Sequence, residues 1–308
     1  MGCLTEGGQG LATANNGKYI AVRKETKWAD NIIKSRPKKL KDAIEKYNIV
    51  ELVNIKDNTS KYLAALSEIE IDELFDSLKE KYGRDIFGQG YLYKIIQECE
   101  IANVDELSED EKINGIDESK PHYILYDKGD KDGNRWYLKT PFAISWTKEN
   151  VRFLKTNSGK KGIGMPVVRN PMFYFKEGFC WSDINTTYLK CRIKDKSIND
   201  VKSMSLFGLV EAICPESYII SMINSTFISK YVDNFINNTQ TFQINDARQL
   251  PIIIPDITTL TKIQSLYSQA IKTKKQFFDG LLTEENSSYQ LDKIQKELDD
   301  LVKKIYLI

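Results

Sequence analysis

Apolar residues in the first part of the chain recur at the three- and four-residue spacing of amphipathic helices. The pattern predicts one helix over residues 26–47 and a second, acidic one over residues 66–82. Ser67, with Glu70 three positions later, predicts a capping box at the start of the second helix, and Gly83 predicts its end. Pro37 predicts that the first helix is interrupted or restarts there, because proline lacks the amide hydrogen that a helix interior needs.

The spacing changes near residue 121, where aromatic and β-branched residues begin to occur in short runs separated by turn residues. Such runs are typical of strands and hairpins. They predict strands over residues 122–126, 136–138, 166–168, 172–175 and 188–193, with a turn at 132–134. The first 24 residues predict a glycine-rich loop, a tight turn at Asn16 and Gly17, and a strand. Residues 91–97 are too short to assign, and residues 102–120 predict an acidic loop or short helix.

Helical spacing returns after residue 214. Residues 215–236 predict one helix with Pro215 in its first turn, and residues 249–255 predict a short strand. Residues 257–279 and 285–306 predict two helices joined around Gly280, which would form an antiparallel hairpin. The pattern therefore predicts an α+β fold. A mixed, β-rich domain over residues 1–255, with helical insertions that include an acidic one at about 60–120, precedes a C-terminal antiparallel helical hairpin over residues 256–308.

Composition places the chain among folded proteins that do not enter membranes. Of its 308 residues, 41% are hydrophobic and 28% charged, and no apolar run reaches the roughly 20 residues that cross a bilayer. The N-terminus lacks the basic and apolar segments of a signal peptide, so a cytoplasmic location without membrane contact is expected. The five cysteines are odd in number and form no CxxC pair, which argues against disulfides and structural zinc.

Charge is distributed unevenly, although the formal net charge is only +1. Residues 18–41 contain nine Lys or Arg and two acids, and residues 148–176 contain seven Lys or Arg and one acid. Between them, residues 98–118 contain nine acids and a single lysine, Lys112. Two basic stretches around an acidic one suit a protein that turns one face toward a polyanion, although charge runs also occur on ordinary solvated surfaces.

Four segments, in the same order, resemble blocks of a known family. Residues 8–16 are similar to a Gly-Leu-x-Thr-Gly-x-Asn junction, with Ala14 in place of the second glycine. Residues 168–184 are similar to an Arg-Asn-x-x-Tyr-Phe-x-x-Gly-x-x-Trp-Ser-x-Ile block. Residues 241–252 are similar to Phe-Gln-x-x-Asp-x-x-x-Leu-Pro-Ile, and residues 297–307 to Leu-Asp-x-Leu-Val-x-x-Leu-Tyr.

Together these blocks resemble the C-terminal target-recognition, or specificity, region of Eco57I-type and TaqI-like adenine-specific DNA methyltransferases and restriction-modification enzymes. The resemblance implies a mixed domain that reads base edges of double-stranded DNA through loops. It also implies a partner, a methyltransferase catalytic domain or subunit, that binds S-adenosylmethionine and methylates a flipped-out adenine.

The catalytic motifs of such enzymes are incomplete in this chain. Residues 170–173 superficially resemble the Asn-Pro-Pro-Tyr/Phe loop, but Met172 replaces the second proline. The glycines at 7–10 follow no predicted strand and precede no Lys-Ser/Thr, so a phosphate loop is rejected. His122 is the only histidine. We therefore predict no catalytic or metal-binding residues, no cofactor and no activity in this chain alone, with S-adenosylmethionine held by the missing catalytic domain or partner.

Candidate DNA-binding residues follow from charge, glycine content and amide side chains. Arginine pairs with guanine, asparagine and glutamine pair with adenine, and lysine contacts phosphate. The candidates are Asn15, Asn16, Lys18, Arg23, Lys24, Lys160, Lys161, Arg169, Thr241, Gln243 and Asn245. Each has a structural alternative. Asn15 and Asn16 can shape a turn in the left-handed region, the 159–164 loop can be an ordinary basic loop, Arg169 can hold a strand through a salt bridge, and residues 241–245 can cap the end of the 215–236 helix.

The leading hypothesis is a sequence-specific double-stranded DNA recognition module of an adenine-specific methyltransferase or type II restriction-modification enzyme. The main alternative is a truncated scaffold that docks a partner through its helical hairpin and does not bind DNA. A third, weaker hypothesis is an enzyme with an unrecognised site. Salt-dependent binding to duplex DNA separates the first hypothesis from the second.

Overall fold

The computed structural model describes residues 1–88, 92–130, 133–184 and 188–306. Its strands are β1 (Thr5–Gly8), β2 (Ile20–Arg23), β3 (Lys94–Ile96), β4 (Tyr123–Asp127), β5 (Phe142–Ser145), β6 (Lys176–Ser182), β7 (Cys191–Asn199) and β8 (Ser203–Gly208). Its helices are α1 (Asn16–Tyr19), α2 (Lys27–Tyr47), α3 (Thr59–Ala64), α4 (Glu68–Tyr82), α5 (Glu109–Asn114), α6 (Lys148–Thr156), α7 (Glu216–Ile223), α8 (Thr226–Phe235), α9 (Ile244–Arg248), α10 (Ile257–Phe278) and α11 (Glu284–Tyr306). Short 3₁₀ segments lie at Val50–Asn58, Glu98–Glu100, Val104–Glu106 and Pro171–Phe173. The predicted α+β class is confirmed.

The chain forms two compact units. Unit A contains Met1–Ala12, Tyr126–Thr140 and Val167–Ile308, and unit B contains Thr13–Leu125 and Pro141–Pro166. The predicted boundary between residues 255 and 256 falls inside unit A. Residue 91 of the unassigned 91–97 segment, residue 132 of the predicted turn and residue 307 of the final motif block lie outside the described residues.

Unit A is built on an antiparallel sheet. β1 pairs with β8, β8 with β6, and β6 with β7, each antiparallel, while the end of β4 pairs in parallel with β7 at Tyr126 and Asp127. The core contains Trp181 and Phe179 of the sheet, the buried face of α7, and the apolar stripes of α10 and α11. The predicted C-terminal hairpin is therefore present, and it packs into this core rather than standing apart.

Unit B combines a small mixed sheet with helices. The first part of β4 is antiparallel to β5, β5 is antiparallel to β2, and β2 is parallel to β3. The ring of Trp28 on α2 packs 5.1 Å from that of Phe142 on β5. α4 begins with the predicted capping box, in which Ser67 and Glu70 bond each other's backbone amides, and it ends at Gly83.

The predicted single helix over residues 215–236 is wrong, because it is divided into α7 and α8 at Asn224 and Ser225. The Asn224 amide turns away and pairs with the backbone of Cys191, accepting at 2.7 Å and donating at 2.8 Å. The hydroxyl of Ser225 then caps α8 by accepting from the amide of Ile228. These two polar side chains thus end α7 and start α8, although the apolar spacing continues from one helix to the next.

Several predicted strands are also wrong. Residues 172–175 are largely a 3₁₀ turn, because Asn170 takes a left-handed conformation and Pro171 starts a helical turn, and the strand begins only at Lys176. Residues 136–138 and 166–168 each contribute a single bridge, at Trp136 and Val167. Residues 249–255 form no strand, and the hydroxyls of Tyr306 and Tyr218 bond their carbonyls instead.

Two further differences concern the first part of the chain. α2 runs without a break from Lys27 to Tyr47 with Pro37 inside it, so the predicted interruption is absent. Asn16 and Gly17, where a tight turn is predicted, begin the one-turn helix α1, and the strand predicted after them is present as β2. Across the described ranges, no helix combines the length and apolar character needed to cross a bilayer.

Candidate nucleic-acid interface

A glycine-rich basic loop follows α6 in unit B. Residues 157–166 are closed by a hydrogen bond from the Gly159 amide to the Pro166 carbonyl, at 2.9 Å. Gly162 and Gly164 have φ of +138° and +78°, values that side chains rarely adopt, so the turn depends on glycine. Lys160 and Lys161 are both exposed, and the Lys160 ammonium lies 3.1 Å from the Asn157 amide oxygen. The loop thus presents two solvated cations.

Lys18 lies beside the same helix. Its ammonium is 5.1 Å from the centre of the Phe153 ring on α6 and 5.5 Å from that of Tyr19. Burial and the nearby Glu149 raise the pKa of Tyr19 to about 12, so its phenol stays protonated at neutral pH. Lys18 therefore rests on an uncharged aromatic surface with its own charge exposed.

Arg84 completes this surface, although it is not among the residues predicted from the sequence. Its Nη1 donates to the carbonyl of Ala14 at 2.9 Å, and the same nitrogen lies near Gly164 of the basic loop. Asp85 is the nearest acid, 3.8 Å from its Nε. We call Lys18, Arg84, Lys160 and Lys161 the basic cluster. No local signal identifies Arg84, because a contact with a residue 70 positions earlier brings it here.

Asn15 and Asn16 serve the turn before α1. The Asn15 carbonyl accepts from the Lys18 amide at 3.1 Å, and the Asn16 side-chain oxygen accepts from the hydroxyl of Thr13. Neither residue takes the left-handed conformation expected of it, and Ala14 does so instead with φ of 52°. Ala14 is the position at which the resembled motif has glycine.

Arg23 and Lys24 differ from each other in their surroundings. The guanidinium of Arg23 is paired with Glu98, with nitrogen–oxygen distances of 3.1 and 2.7 Å, and its side chain is mostly buried. Lys24 is exposed, and its amide bonds the Ile96 carbonyl at 2.9 Å. Arg23 could bind a phosphate only by giving up its carboxylate, whereas Lys24 is accessible.

Arg169 lies in unit A, next to the left-handed residue Asn170. The Asn170 amide donates to the Gln9 carbonyl at 2.9 Å, which fits a structural turn rather than a catalytic asparagine. Nη1 of Arg169 is buried, and no residue that the structure describes supplies it with a hydrogen-bond acceptor. A buried donor without an acceptor is unfavourable, and a ligand could accept from this nitrogen only after the half-buried side chain turned outward.

Thr241, Gln243 and Asn245 surround the start of α9 in unit A. The Thr241 hydroxyl lies 3.0 Å from that of Thr239, and the backbone amide of Gln243 donates to the Asp246 carboxylate at 2.9 Å. Asn245 is exposed, and its side-chain oxygen lies 3.5 Å from Arg248. These residues lead into α9 and do not cap the preceding helix. Thr241 also lines a pocket of about 220 Å³ with Tyr188, Asp233 and Gln240.

A buried charged group in unit A has a structural role. Arg192 and Asp127 form an ion pair at 2.8 Å, and the Ser203 hydroxyl donates to the same carboxylate at 2.6 Å. Burial alone would raise the pKa of Asp127, but Arg192, Cys180 and Ser203 together hold it below its ordinary value. Lys194 donates to three backbone carbonyls. Because these groups are satisfied and inaccessible, they stabilise the sheet rather than catalyse a reaction.

The four sequence blocks meet in unit A, the first of them through residues 8–12. Asn170 of the second block bonds Gln9 of the first at 2.9 Å, and the indole of Trp181 bonds the Phe242 carbonyl of the third at 2.7 Å. Tyr306 of the fourth block bonds Pro251 of the third. Gly10 must be glycine because a Cβ there would lie 1.7 Å from the Asn199 carbonyl oxygen. The blocks therefore form one structural framework.

Histidine and cysteine are the remaining residue types whose side chains commonly bind metals or act as nucleophiles. No group of three or more His, Cys, Asp or Glu side chains is arranged there to hold a metal ion. His122 instead stacks on Tyr123, with ring centres 4.8 Å apart, and its Nδ1 lies 2.9 Å from the Lys120 carbonyl. Burial raises the pKa of the Cys180 thiol, so it stays protonated and unreactive.

Comparison with known proteins gives likenesses in structure and none in sequence. No protein-family model matches the chain, and no curated protein matches it in sequence. Among solved structures, the type IIL restriction-modification enzyme MmeI in complex with DNA is similar to it, with 12% sequence identity and a TM-score of 0.44. The match covers 61% of this chain and 28% of that enzyme, so this chain spans well under a third of it. A likeness at this level establishes neither a shared family nor a shared function.

Proposed function

We propose that the chain is a sequence-specific recognition module for double-stranded DNA that serves an adenine-specific methyltransferase of a restriction-modification system in the cytoplasm. The observation that carries the proposal is the basic cluster, in which exposed lysines lie on a glycine-rich loop beside Lys18 and Arg84. Because glycine has no side chain, a glycine-rich loop lets its lysines approach phosphates closely. An anionic polymer is the partner that such a surface fits best.

Within this proposal the candidate residues divide by role. Lys18, Lys24, Lys160 and Lys161 contact phosphates, together with Arg84, and Arg23 does so only if it leaves Glu98. Arg169 reads a guanine edge after its half-buried side chain turns outward and exposes the nitrogen that has no acceptor in the folded chain. Thr241, Gln243 and Asn245 are the further base-reading candidates, and Asn15 and Asn16 support Lys18. Methyl transfer with S-adenosylmethionine belongs to a separate catalytic domain or subunit, because both of its motifs are incomplete here.

Selection from a random duplex library tests the proposal. The chain is mixed with the library, bound duplexes are recovered and sequenced over several rounds, and the enriched site is compared with its scrambled form in competition binding. We expect one enriched sequence that is bound at least 1,000-fold, on the order of 4 kcal/mol, more tightly than scrambled DNA. Binding without enrichment would leave only a non-specific DNA-binding protein.

A separate observation supports a second candidate function, that of a scaffold that docks a partner protein. Leu281 and Tyr289, near the turn between α10 and α11, are each more than 70% exposed, which suits a protein-docking surface. A scaffold of that kind would give no retained duplex in the selection, so one experiment separates the two functions.

A further inference from the structure

The tip of the basic loop carries an apolar side chain. Ile163 is 86% exposed, the highest value for a large hydrophobic residue among the described ranges. It stands between Gly162 and Gly164, both at positive φ. A Cβ at Gly159 would meet no atom within 4 Å, so the loop is open to solvent on that side as well. The loop therefore presents Ile163 outward without support from neighbouring side chains.

The exposed position of Ile163 does not stabilise the folded chain. A buried isoleucine stabilises a fold through its removal from water, and an exposed one contributes almost nothing of that kind. Single exposed apolar residues are common on protein surfaces and need no special account. Ile163 differs in its position, because cations flank it along the chain at Lys160 and Lys161 and across the surface at Arg84.

The charges around Ile163 point to a polyanion. Lys18, Arg84, Lys160 and Lys161 are positive, against Asp85 beside Arg84 and Glu149 near Tyr19. Phosphates of a duplex held by these cations would bring the tip of the loop to the groove. An apolar side chain that enters a groove can insert between base pairs, unstack one step and kink the helix by roughly 20–90°.

We propose that Ile163 is a wedge that inserts between two base pairs of the bound duplex and kinks it. The inference rests on the proposed DNA binding and deepens it, since it assigns a deformation of the DNA to a named side chain. Lys160 and Lys161 anchor phosphates beside the kinked step, and the flanking glycines let the loop reach past the backbone of the DNA.

The test measures the bend of the selected duplex. A donor and an acceptor dye are attached to its two ends, and energy transfer is recorded at saturating protein. Wild-type protein should raise the transfer above that of free DNA. Ile163→Ser should return it to the free value, and Ile163→Leu should retain it. Lys160→Ala/Lys161→Ala should need more protein to saturate but give the wild-type bend.

Ile69→Ser is the matched control, because Ile69 is 72% exposed on α4 of the same unit, away from the basic loop. It should leave both affinity and bend unchanged. An Ile163→Ser complex as bent as wild type would overturn the wedge while leaving DNA recognition intact. Failure to retain any duplex would overturn both proposals. An effect of Ile163→Ser only on binding to phosphatidylserine vesicles would assign the residue to a membrane surface instead.

Discussion

Arg169 and the pair Lys160 and Lys161 carry the same sign of charge in different surroundings, and this difference predicts different effects on binding. The two lysines are exposed, whereas Nη1 of Arg169 is buried without an acceptor among the residues described. Lys160→Ala/Lys161→Ala should weaken binding to all duplexes alike. Arg169→Ala should weaken binding to the selected site alone, by roughly 1–3 kcal/mol, because it removes a base contact.

Competition binding on the selected and scrambled duplexes measures this difference, and a melting curve accompanies each variant. If Arg169→Ala lowers the melting temperature and leaves the ratio of the two affinities unchanged, Arg169 holds the fold and does not read a base.

Asp72 on α4 predicts a pH-dependent stability. Burial raises its pKa from 3.8 to about 6, although Lys94 and Arg36 oppose the shift. Between these two values the folded chain holds a proton that the unfolded chain lacks, so the contribution of Asp72 is unfavourable above pH 6 and disappears as the pH falls toward 4. Asp72→Asn should therefore raise the melting temperature at neutral pH and have little effect near pH 4.

The matched control for Asp72 is Glu73→Gln, the exposed neighbour on the same helix. It should show no such pH-dependent gain. A lower melting temperature of Asp72→Asn at neutral pH would mean that the attraction of Arg36, 3.8 Å away, outweighs burial.

At the scale of elements, α2 contains a proline in its interior, where proline is unfavourable. Pro37 leaves the Ile33 carbonyl without the usual amide donor, yet the helix continues through it. Pro37→Ala should raise the free energy of unfolding by a net value of about 2 kcal/mol. The gain from restoring the helix is reduced by a smaller amount, because alanine gives the unfolded chain more conformational freedom than proline does. Urea unfolding of the variant and of the wild-type chain measures this change in the free energy of unfolding. Pro215→Ala, at the N-cap of α7 where proline fits, should give no gain, and an equal gain there would contradict the account.

Elements defined by neighbouring residues were predictable, and elements defined by distant contacts were not. Ser67 and Glu70 set the start of α4 and Gly83 sets its end, each through contacts with residues only a few positions away, so the sequence alone predicts both ends. The division of α7 from α8 depends on Asn224 meeting the Cys191 backbone, 33 residues away. Likewise Lys18, Lys160 and Lys161 follow from charge and glycine content, whereas Arg84 joins the site only through folding.

At the scale of the whole molecule, the charge is uneven rather than large. A net charge of +1 gives no general attraction to DNA, so any strong binding must come from local positive surfaces such as the basic cluster. That attraction is electrostatic, and each phosphate contact releases condensed counterions. Affinity should then depend steeply on salt concentration.

The most direct test of DNA recognition is the affinity of the whole chain for duplex DNA across a series of salt concentrations. If the basic residues neutralise about five phosphates, the logarithm of the affinity should fall against the logarithm of salt with a slope of about −4.5. Lys160→Ala/Lys161→Ala should make the slope shallower by about 1.8, for two lost contacts. A slope near zero for the wild-type chain would mean that the basic cluster is only a solvated surface, and the proposed function would be wrong.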